Sequence, residues 1–434
     1  MNDQAQTTVL ETSARAGAPT ASSPPDINAE TYPFEFVQRL LDAAAYVNLF
    51  SLPDTRISST EPYEPTGPNG VIGFEVREIL HRFQVELKAV SPESGIVSEN
   101  RIGEPLARLE HRWLLMPTDF VATPDRQPPP TRFDPTRSQR FVMLASTCHF
   151  EETKDGFRGF GTGRTYPVNG STDGRVLVAA VGTIVEGFGR LKNRDCTYTY
   201  CGSLSPRSGF SGQLLLRVVD PAGDLSTDTA LPALEGSGHV DTGITYIMFR
   251  GQKHSKHDET LYAYGADGQV AGLNVTQELR VLHIDAACRG GKLRTTSFLG
   301  PSMGKMTAKI IFNLFNPGAP GTALAPIPFE SYNEYVFADP EGHTFGTCAG
   351  DGHEGRTFIL ALNGAPGQLA LRFGGFGPLL NGTGRLAGIE GLMTDNSVVG
   401  IAPHALATLY SLRVQDPQAR FRPGDRSRDQ VRSP

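Results

Sequence analysis

Short apolar runs dominate the chain from about residue 70 onward, and Gly, Pro, Asn and Asp interrupt them roughly every eight to twelve residues. The runs are rich in β-branched and aromatic side chains, which pack well on a pleated surface. This pattern predicts an all-β fold. The predicted strands are Gly73–Leu80, Arg108–Met116, Arg140–Phe150, Arg175–Ile184, Gln213–Val219, Thr245–Arg250, Leu279–Ile284, Met306–Phe315, Tyr332–Phe337, Thr357–Leu362, Gln368–Phe373 and Leu406–Val414.

The clearest helical pattern lies near the N-terminus, between Pro33 and Leu52. Apolar residues recur there at helical spacing, at Phe36, Leu40, Leu41, Ala44 and Val47. We expect one packing helix in this stretch. Residues 1–30 and 418–434 carry few large apolar groups, so both are predicted to be disordered tails.

One stretch of the chain occurs twice, at residues 185–221 and 381–417. Both copies hold a Gly-x-Gly-Arg-Leu motif, at Gly187–Leu191 and Gly382–Leu386. Both also end in a strand pattern followed by Asp-Pro. The two matches lie about 195 positions apart, and two motifs kept at one offset favour an internal duplication.

The duplication predicts two tandem antiparallel β-barrel domains, calycin-like in shape, at residues 31–235 (with the helix) and 236–417. Upstream of the motif the offset falls to about 185, and we place part of the excess in a glycine-rich loop at Ala349–Arg356. Such a loop is either a site or a surface excursion without a role. Arginines repeat at matching positions and suggest a structural duty such as pairing with a carboxylate: Arg190 and Arg385, Arg217 and Arg413.

Charge and composition exclude several classes of partner. The 40 Lys and Arg against 46 Asp and Glu give a net charge of −6, and no basic stripe appears, so nucleic acid is not expected. No apolar run approaches the roughly 18 residues of a membrane span, which argues against membrane insertion. The N-terminus lacks a secretory signal pattern, and the five cysteines form no CxxC pair, so we expect a cytoplasmic protein with reduced thiols. A hydrophobic small molecule is the expected partner.

The segment GTGRLAGIEG (382–391), followed by an alternating strand that ends YSLRVQDP, resembles the allene oxide cyclase and dirigent family of small β-barrels. The resemblance covers about 35 residues in each half. It implies an apolar barrel interior that holds a small hydrophobic molecule and steers its cyclisation or coupling by shape. It also implies that no metal or organic cofactor is needed and that homo-oligomers are common.

Several residues could carry acid-base chemistry. On the strand ending at Phe150, alternation puts His149 and Glu151 on one face, as a base with its orienter or as a solvated strand end. Glu334 either projects into an apolar barrel, where burial would raise its pKa, or faces water. Tyr335 lies on the opposite face from Glu334. His353 lies in the predicted loop.

One cluster of residue types has plausible transition-metal chemistry: His343, Cys348, His353 and Glu354. Its spacing matches no standard site, so no metal is expected. Rossmann, P-loop and nucleophile-elbow patterns are absent from the sequence, which disfavours nucleotide cofactors.

Three functions follow as hypotheses. The first is a cofactor-independent cyclase, isomerase or lyase acting in one barrel, more plausibly the second, with Glu334, His353, His149 and Tyr335 as candidate catalytic residues. The second is a non-catalytic protein that binds a lipid or pigment. The third is a metal-dependent hydrolase at residues 343–354. A buried carboxylate paired with His or Tyr would favour an enzyme, and a wholly apolar lining would favour binding.

Overall fold

The computed structural model describes residues 32–54, 73–115, 138–168, 174–205, 209–227, 231, 234, 240, 243–255, 258–264, 270–314, 327–361, 369–400 and 405–423. The predicted tail at 1–30 lies outside these residues. The predicted tail at 418–434 does so only from residue 424. Its first residues are packed, because Phe421 is buried and its carbonyl accepts a hydrogen bond from the Ser98 amide at 2.8 Å.

The described residues form one α-helix, α1 (Phe34–Asp42), and seventeen β-strands. The strands are β1 (Ala44–Pro53), β2 (Gly73–Ser91), β3 (Gly95–Leu115), β4 (Gln139–Phe150), β5 (Gly156–Pro167), β6 (Val176–Phe188), β7 (Cys196–Ser205), β8 (Gly209–Val219), β9 (Ile244–Gln252), β10 (Glu259–Tyr264), β11 (Val270–Arg289), β12 (Lys292–Leu314), β13 (Ile327–Ala338), β14 (Thr344–Ala361), β15 (Leu369–Gly384), β16 (Gly391–Gly400) and β17 (Leu406–Gln415). The all-β prediction is confirmed.

The strands form two antiparallel rings. Strands β1 to β8 make a closed barrel in chain order, because β8 pairs back onto β1. In the second sheet β11 to β17 follow in chain order, and β9 pairs with β17 on one side and with β11 at Glu278–Arg280 on the other. This second sheet is therefore ring-like, and β10 pairs with Val270–Val275 at the start of β11.

The predicted helix is only half correct. Helix α1 ends at Asp42, and the chain from Ala44 to Pro53 is strand β1. The residues Ala44–Ser51 pair with β8, and Leu49–Pro53 pair with β2. The apolar and aromatic side chains in this segment satisfy a helical and a strand pattern equally well, and closure of the barrel decides between them.

The loop predicted at Ala349–Arg356 is also wrong, because this segment lies within strand β14. The glycines of this segment lie within the strand, where they allow close packing and do not form a turn. A Cβ on Gly355 would lie 2.1 Å from the Phe329 ring, so only glycine fits beside that ring. Register shifts next to Ala349 and Glu354 absorb part of the extra length as β-bulges.

The two rings pack side by side with matching contacts. Strand β1 contacts β11 and β12, and strand β9 contacts β2 and β3. Polar groups bridge the interface: Gln213 Nε2 donates to Asn48 Oδ1 at 2.6 Å, and Gln213 Oε1 accepts a hydrogen bond from the Ser411 hydroxyl. Strands β1 to β3 of the first ring thus contact β9, β11 and β12 of the second.

Each ring extends one long hairpin onto the other ring. Leu293, near the tip of β11–β12, is buried in the core of the first ring, and Ile96 of β2–β3 is buried in the core of the second. Arg190 donates to the Leu293 carbonyl, and Arg385 Nε donates to the Pro92 carbonyl at 2.7 Å. The repeated arginines of the glycine motif thus hold the opposite ring's hairpin.

The expectation that the repeated arginines pair with carboxylates is wrong for Arg217 as well. Arg217 is fully buried and donates to the carbonyls of Ala407 at 2.7 Å and Leu41 at 2.6 Å. Burial lowers its pKa to about 10. Backbone carbonyls of the second ring and of α1 thus accept hydrogen bonds from the buried guanidinium of Arg217.

Candidate functional site

The interior of the second ring contains the polar groups with the clearest chemistry. On β13 the buried residues alternate as Asn333, Tyr335 and Phe337, and Tyr335 and Phe337 belong to the hydrophobic core of this ring. On β14 His353 pairs with Ser331, and residues paired across antiparallel strands share a face. His353 and Tyr335 therefore both face the interior.

His353 is hydrogen-bonded to a carboxylate that lies two strands away. Its Nε2 atom is 2.7 Å from Asp395 Oδ1, and the two side chains are 4% and 8% exposed. Strand β15 lies between β14 and β16, and it presents Gly375 at this point. A Cβ there would lie 2.4 Å from His353 Nε2 and 2.7 Å from Asp395 Oδ1. The missing side chain of Gly375 is what lets the pair form.

The bond fixes the tautomer of His353 when the ring is neutral. A carboxylate only accepts hydrogen bonds, so Nε2 carries the proton and Nδ1 has a free electron pair. No hydrogen bond joins Nδ1 to another described residue, and Gly377 packs directly against the imidazole, since a Cβ there would lie 2.9 Å from Nδ1. This arrangement is that of an oriented general base.

Two tyrosines lie around this pair. Burial raises the pKa of Tyr335 well above its ordinary value, and the nearby Tyr410 and Asp395 raise it further. Burial likewise raises the pKa of Tyr410, whose hydroxyl accepts a hydrogen bond from Gln277 Nε2 at 2.8 Å. Both phenols stay protonated near neutral pH and can serve as hydrogen-bond donors.

An apolar rim surrounds one end of this interior. The residues that continue the inward-facing positions towards the ends of their strands are only half-buried. They are Leu273, Ile310, Phe329, Phe373 and Val399. We call these five residues the rim. The rings of Phe329 and Phe373 meet edge to face at 6.1 Å between centroids.

The first ring holds a different polar cluster. Tyr200 donates a hydrogen bond to Glu78 Oε1, and Glu78 Oε2 lies 3.7 Å from His111 Nε2. All three side chains are buried, and burial followed by the charge of Glu78 raises the pKa of Tyr200 well above its ordinary value. A second buried carboxylate is thus in contact with a tyrosine and beside a histidine.

Aromatic rings fill the space above the first cluster. Trp113 stacks on Phe141 at 4.6 Å between centroids, and Tyr200 stacks on Phe210 at 4.1 Å. All four rings are buried. The rim of the second ring is only half-buried, so the second polar cluster is the more accessible of the two.

Two candidates face outward. Glu334 does not project into the barrel: its side chain is 46% exposed, lies 3.7 Å from Lys309 Nζ and accepts a hydrogen bond from Tyr332. Alternation on β13 forces this, because Tyr335 occupies the interior face. His149 is exposed and stacks on Phe188, while Glu151 pairs with Arg108 instead of His149.

The four residues of the possible metal cluster are dispersed. His343 is exposed on a turn and bonds Asp339, Cys348 is buried, and Glu354 pairs with Arg140 and Arg164 in contact with the first ring. His353 is held by Asp395. Among the described residues, potential ligands come within 4.8 Å of one another at Asp339, Glu341 and His343, a mostly exposed turn.

An open polar cleft of about 660 Å³ lies elsewhere, beside the turn between β6 and β7. Its walls include Arg190, Lys192 and Arg194. The chain itself neutralises much of this charge, because Arg194 pairs with Asp220 at 2.5 Å and with Asp224 at 2.7 Å. The cleft offers no acid-base pair comparable to His353 and Asp395.

Sequence reasoning missed Asp395 and Glu78, although a signal was present. Glu78 alternates with apolar Val76 and Leu80, and Asp395 alternates with Met393. A charged residue in phase with apolar neighbours on a strand faces the same interior as those neighbours. Gln277 on β11 follows the same pattern beside Val275 and Leu279.

No family model, curated protein or solved structure matches the chain. Within the described residues no helix is both long enough and apolar enough to cross a membrane.

Proposed function

We propose that the protein is a cofactor-independent enzyme, a cyclase, isomerase or lyase, that acts on a hydrophobic small molecule inside the second ring. The observation that carries this proposal is the buried His353–Asp395 pair, 2.7 Å apart, beneath an apolar rim. A binding protein needs only an apolar lining. A histidine oriented by a carboxylate, at the cost of burying both, suits proton transfer.

The proposed chemistry is a proton transfer. The apolar part of the substrate contacts Phe329, Phe373 and the other rim residues, and its reactive carbon or hydroxyl reaches His353. Nδ1 takes the proton, and Asp395 stabilises the imidazolium that forms. Tyr335 or Tyr410 donates a hydrogen bond to the oxygen that gains negative charge. His353 then returns the proton to another substrate atom or to the leaving group.

Comparison of two variants with a matched control tests this proposal. Wild type, His353→Gln and Asp395→Asn are incubated with a metabolite extract from the protein's own host, and consumed and formed compounds are followed by mass spectrometry. We expect His353→Gln to lose at least about a hundredfold in rate and Asp395→Asn to lose a similar amount. His343→Gln, an exposed histidine, should keep wild-type turnover.

Conversion that proceeds equally in wild type and both interior variants contradicts the proposal. A compound that binds wild type and the variants alike, and returns unchanged from all of them, identifies the protein as a carrier instead.

We also infer that the two rings arose by internal duplication. Besides strand order, the strand ends support it: Asp220 accepts hydrogen bonds from the amides of Asp224 and Leu225, and Asp416 accepts them from Arg420 and Phe421. The second glycine of each motif has a positive φ, at 59° and 58°. The resemblance to allene oxide cyclase and dirigent barrels implies a ligand inside the barrel, and the proposed site inside the second ring is consistent with this.

Under this proposal the two copies have diverged in their interiors. Asp395 pairs with Tyr410, and Tyr200 pairs with Leu214, at matching places in β16–β17 and β7–β8. Asp395 thus takes the place of Tyr200. The second ring gained its acid-base pair where the first has an aromatic core.

A further inference from the structure

The interior of the second ring contains polar atoms that no described protein group satisfies. They are Ser331 Oγ, Asn333 Oδ1 and Gln277 Oε1. Ser331 is 7% exposed, Asn333 2% and Gln277 0%. A buried polar atom without a hydrogen-bond partner is costly to the fold, so three of them inside one ring point to a partner that the protein itself does not supply.

These atoms lie around the His353–Asp395 pair. Ser331 pairs directly with His353 across β13 and β14, and Asn333 follows two residues later on the same face. Gln277 bonds the hydroxyl of Tyr410, and Tyr410 pairs directly with Asp395 across β16 and β17. The three side chains thus approach the pair from two sides of the ring.

We infer that Ser331, Asn333 and Gln277 form a hydrogen-bonding subsite, and that the ligand of the second ring is an apolar, uncharged molecule that carries a hydroxyl group. This inference rests on the site of the proposed function and specifies its substrate class. Two of the three atoms are side-chain amide oxygens, which accept hydrogen bonds, so a donor on the ligand would satisfy them. A hydroxyl supplies one and can also accept from Ser331.

The same geometry disfavours a carboxylate ligand. The Asp395 carboxylate already faces the interior of the second ring, and the two amide oxygens of the subsite present only negative dipole ends. The nearby arginines contact other groups: Arg356 donates to the Gly355 carbonyl, Glu354 pairs with Arg140 and Arg164 of the first ring, and Arg372 donates to Thr197 of the first ring. A fatty acid anion would therefore meet repulsion from Asp395, with none of these arginines to offset it.

A matched set of probes tests the inference by equilibrium binding, without any need for turnover. Naphthalene, 2-naphthol and 2-naphthoate share one apolar body and differ in the polar group. We expect wild type to bind 2-naphthol about tenfold more tightly than naphthalene, and 2-naphthoate more weakly than both. Asn333→Leu, of similar volume, should reduce the preference for 2-naphthol to less than about threefold.

Ser331→Ala provides a second, smaller change that leaves the strand intact and should reduce the preference in the same direction. Asn274→Leu on the outer face of β11 is the control and should retain it. Equal binding of all three probes by wild type, binding of none, or a preference that survives both interior substitutions overturns the inference. Because His353→Gln should still prefer 2-naphthol, loss of the proposed catalysis and loss of this subsite are separate results.

Discussion

Gly375 determines whether His353 can reach Asp395. The Cβ of Gly375→Ala would lie within 2.7 Å of both bonded atoms, so the pair must separate or the strand must shift. We expect the variant to lose about 1–3 kcal/mol of stability in chemical denaturation, as overpacked cores do, and to lose turnover with it. Gly243→Ala is the control, since a Cβ there meets nothing within 4 Å. A Gly375→Ala protein with wild-type stability and turnover would contradict this role.

His343 and Asp339 form a hydrogen-bonded pair on the turn after β13. The hydrogen bond to Asp339 and its negative charge raise the pKa of His343. A raised folded pKa means that the pair stabilises the fold below the ordinary histidine pKa of about 6.5, and that this stability is lost as pH rises through the folded pKa. Asp339→Asn should therefore lower the pKa of His343 in a proton NMR titration.

His283 provides the internal control in the same spectra. Burial lowers its pKa, and no described contact joins it to the turn at Asp339. A His343 pKa that stays raised in Asp339→Asn, or a His283 pKa that moves with it, would show that the shift has another cause.

The sequence identifies part of the site at this scale. Alternation on β13 correctly separates Tyr335 from Glu334, but strand phase alone does not say which face is inside. The choice follows from Phe337, which joins the core beside Tyr335. The partner of His353 was not predictable, because Asp395 lies 42 positions away and contacts it across a glycine.

At the scale of elements, the two long hairpins hold the rings together. Arg190 is half-buried and Arg385 is exposed, although both donate to a carbonyl of the opposite hairpin. Loss of a net hydrogen bond costs about 0.5–1.5 kcal/mol and less where water replaces it. In hydrogen exchange, Arg190→Ala should accelerate amides near Leu293 up to about tenfold, and Arg385→Ala should accelerate those near Pro92 by less.

Each variant is the control for the other, since each should affect one hairpin only. Faster exchange at both hairpins in either variant, or at neither in both, would contradict the reciprocal arrangement.

Element types follow from sequence more reliably than element boundaries. The β-rich texture predicts strands over most of the chain, and pairing extends many of them: β2 runs from Gly73 to Ser91, well beyond the predicted Leu80. The helix prediction is wrong over Ala44–Pro53 for a different reason. Local periodicity there fits a helix, whereas hydrogen bonds to both β2 and β8 fix a strand that no local pattern specifies.

At the scale of the whole molecule, two rings with the same strand order carry unlike interiors. The first is filled by stacked aromatic rings around Glu78, and the second keeps an apolar rim above His353 and Asp395. The repeated motif predicts two similar units, but it lies at a turn and says nothing about which interior accepts a ligand. That difference depends on side chains from several strands of each ring.

The most direct test of the central claim is a crystal structure of the protein purified from its own host, or soaked with a substrate found by turnover. We expect ligand density inside the second ring, beneath Phe329 and Phe373 and within hydrogen-bonding distance of His353. Ligand density in the first ring or in the cleft beside Arg194, with only solvent around His353, would contradict it.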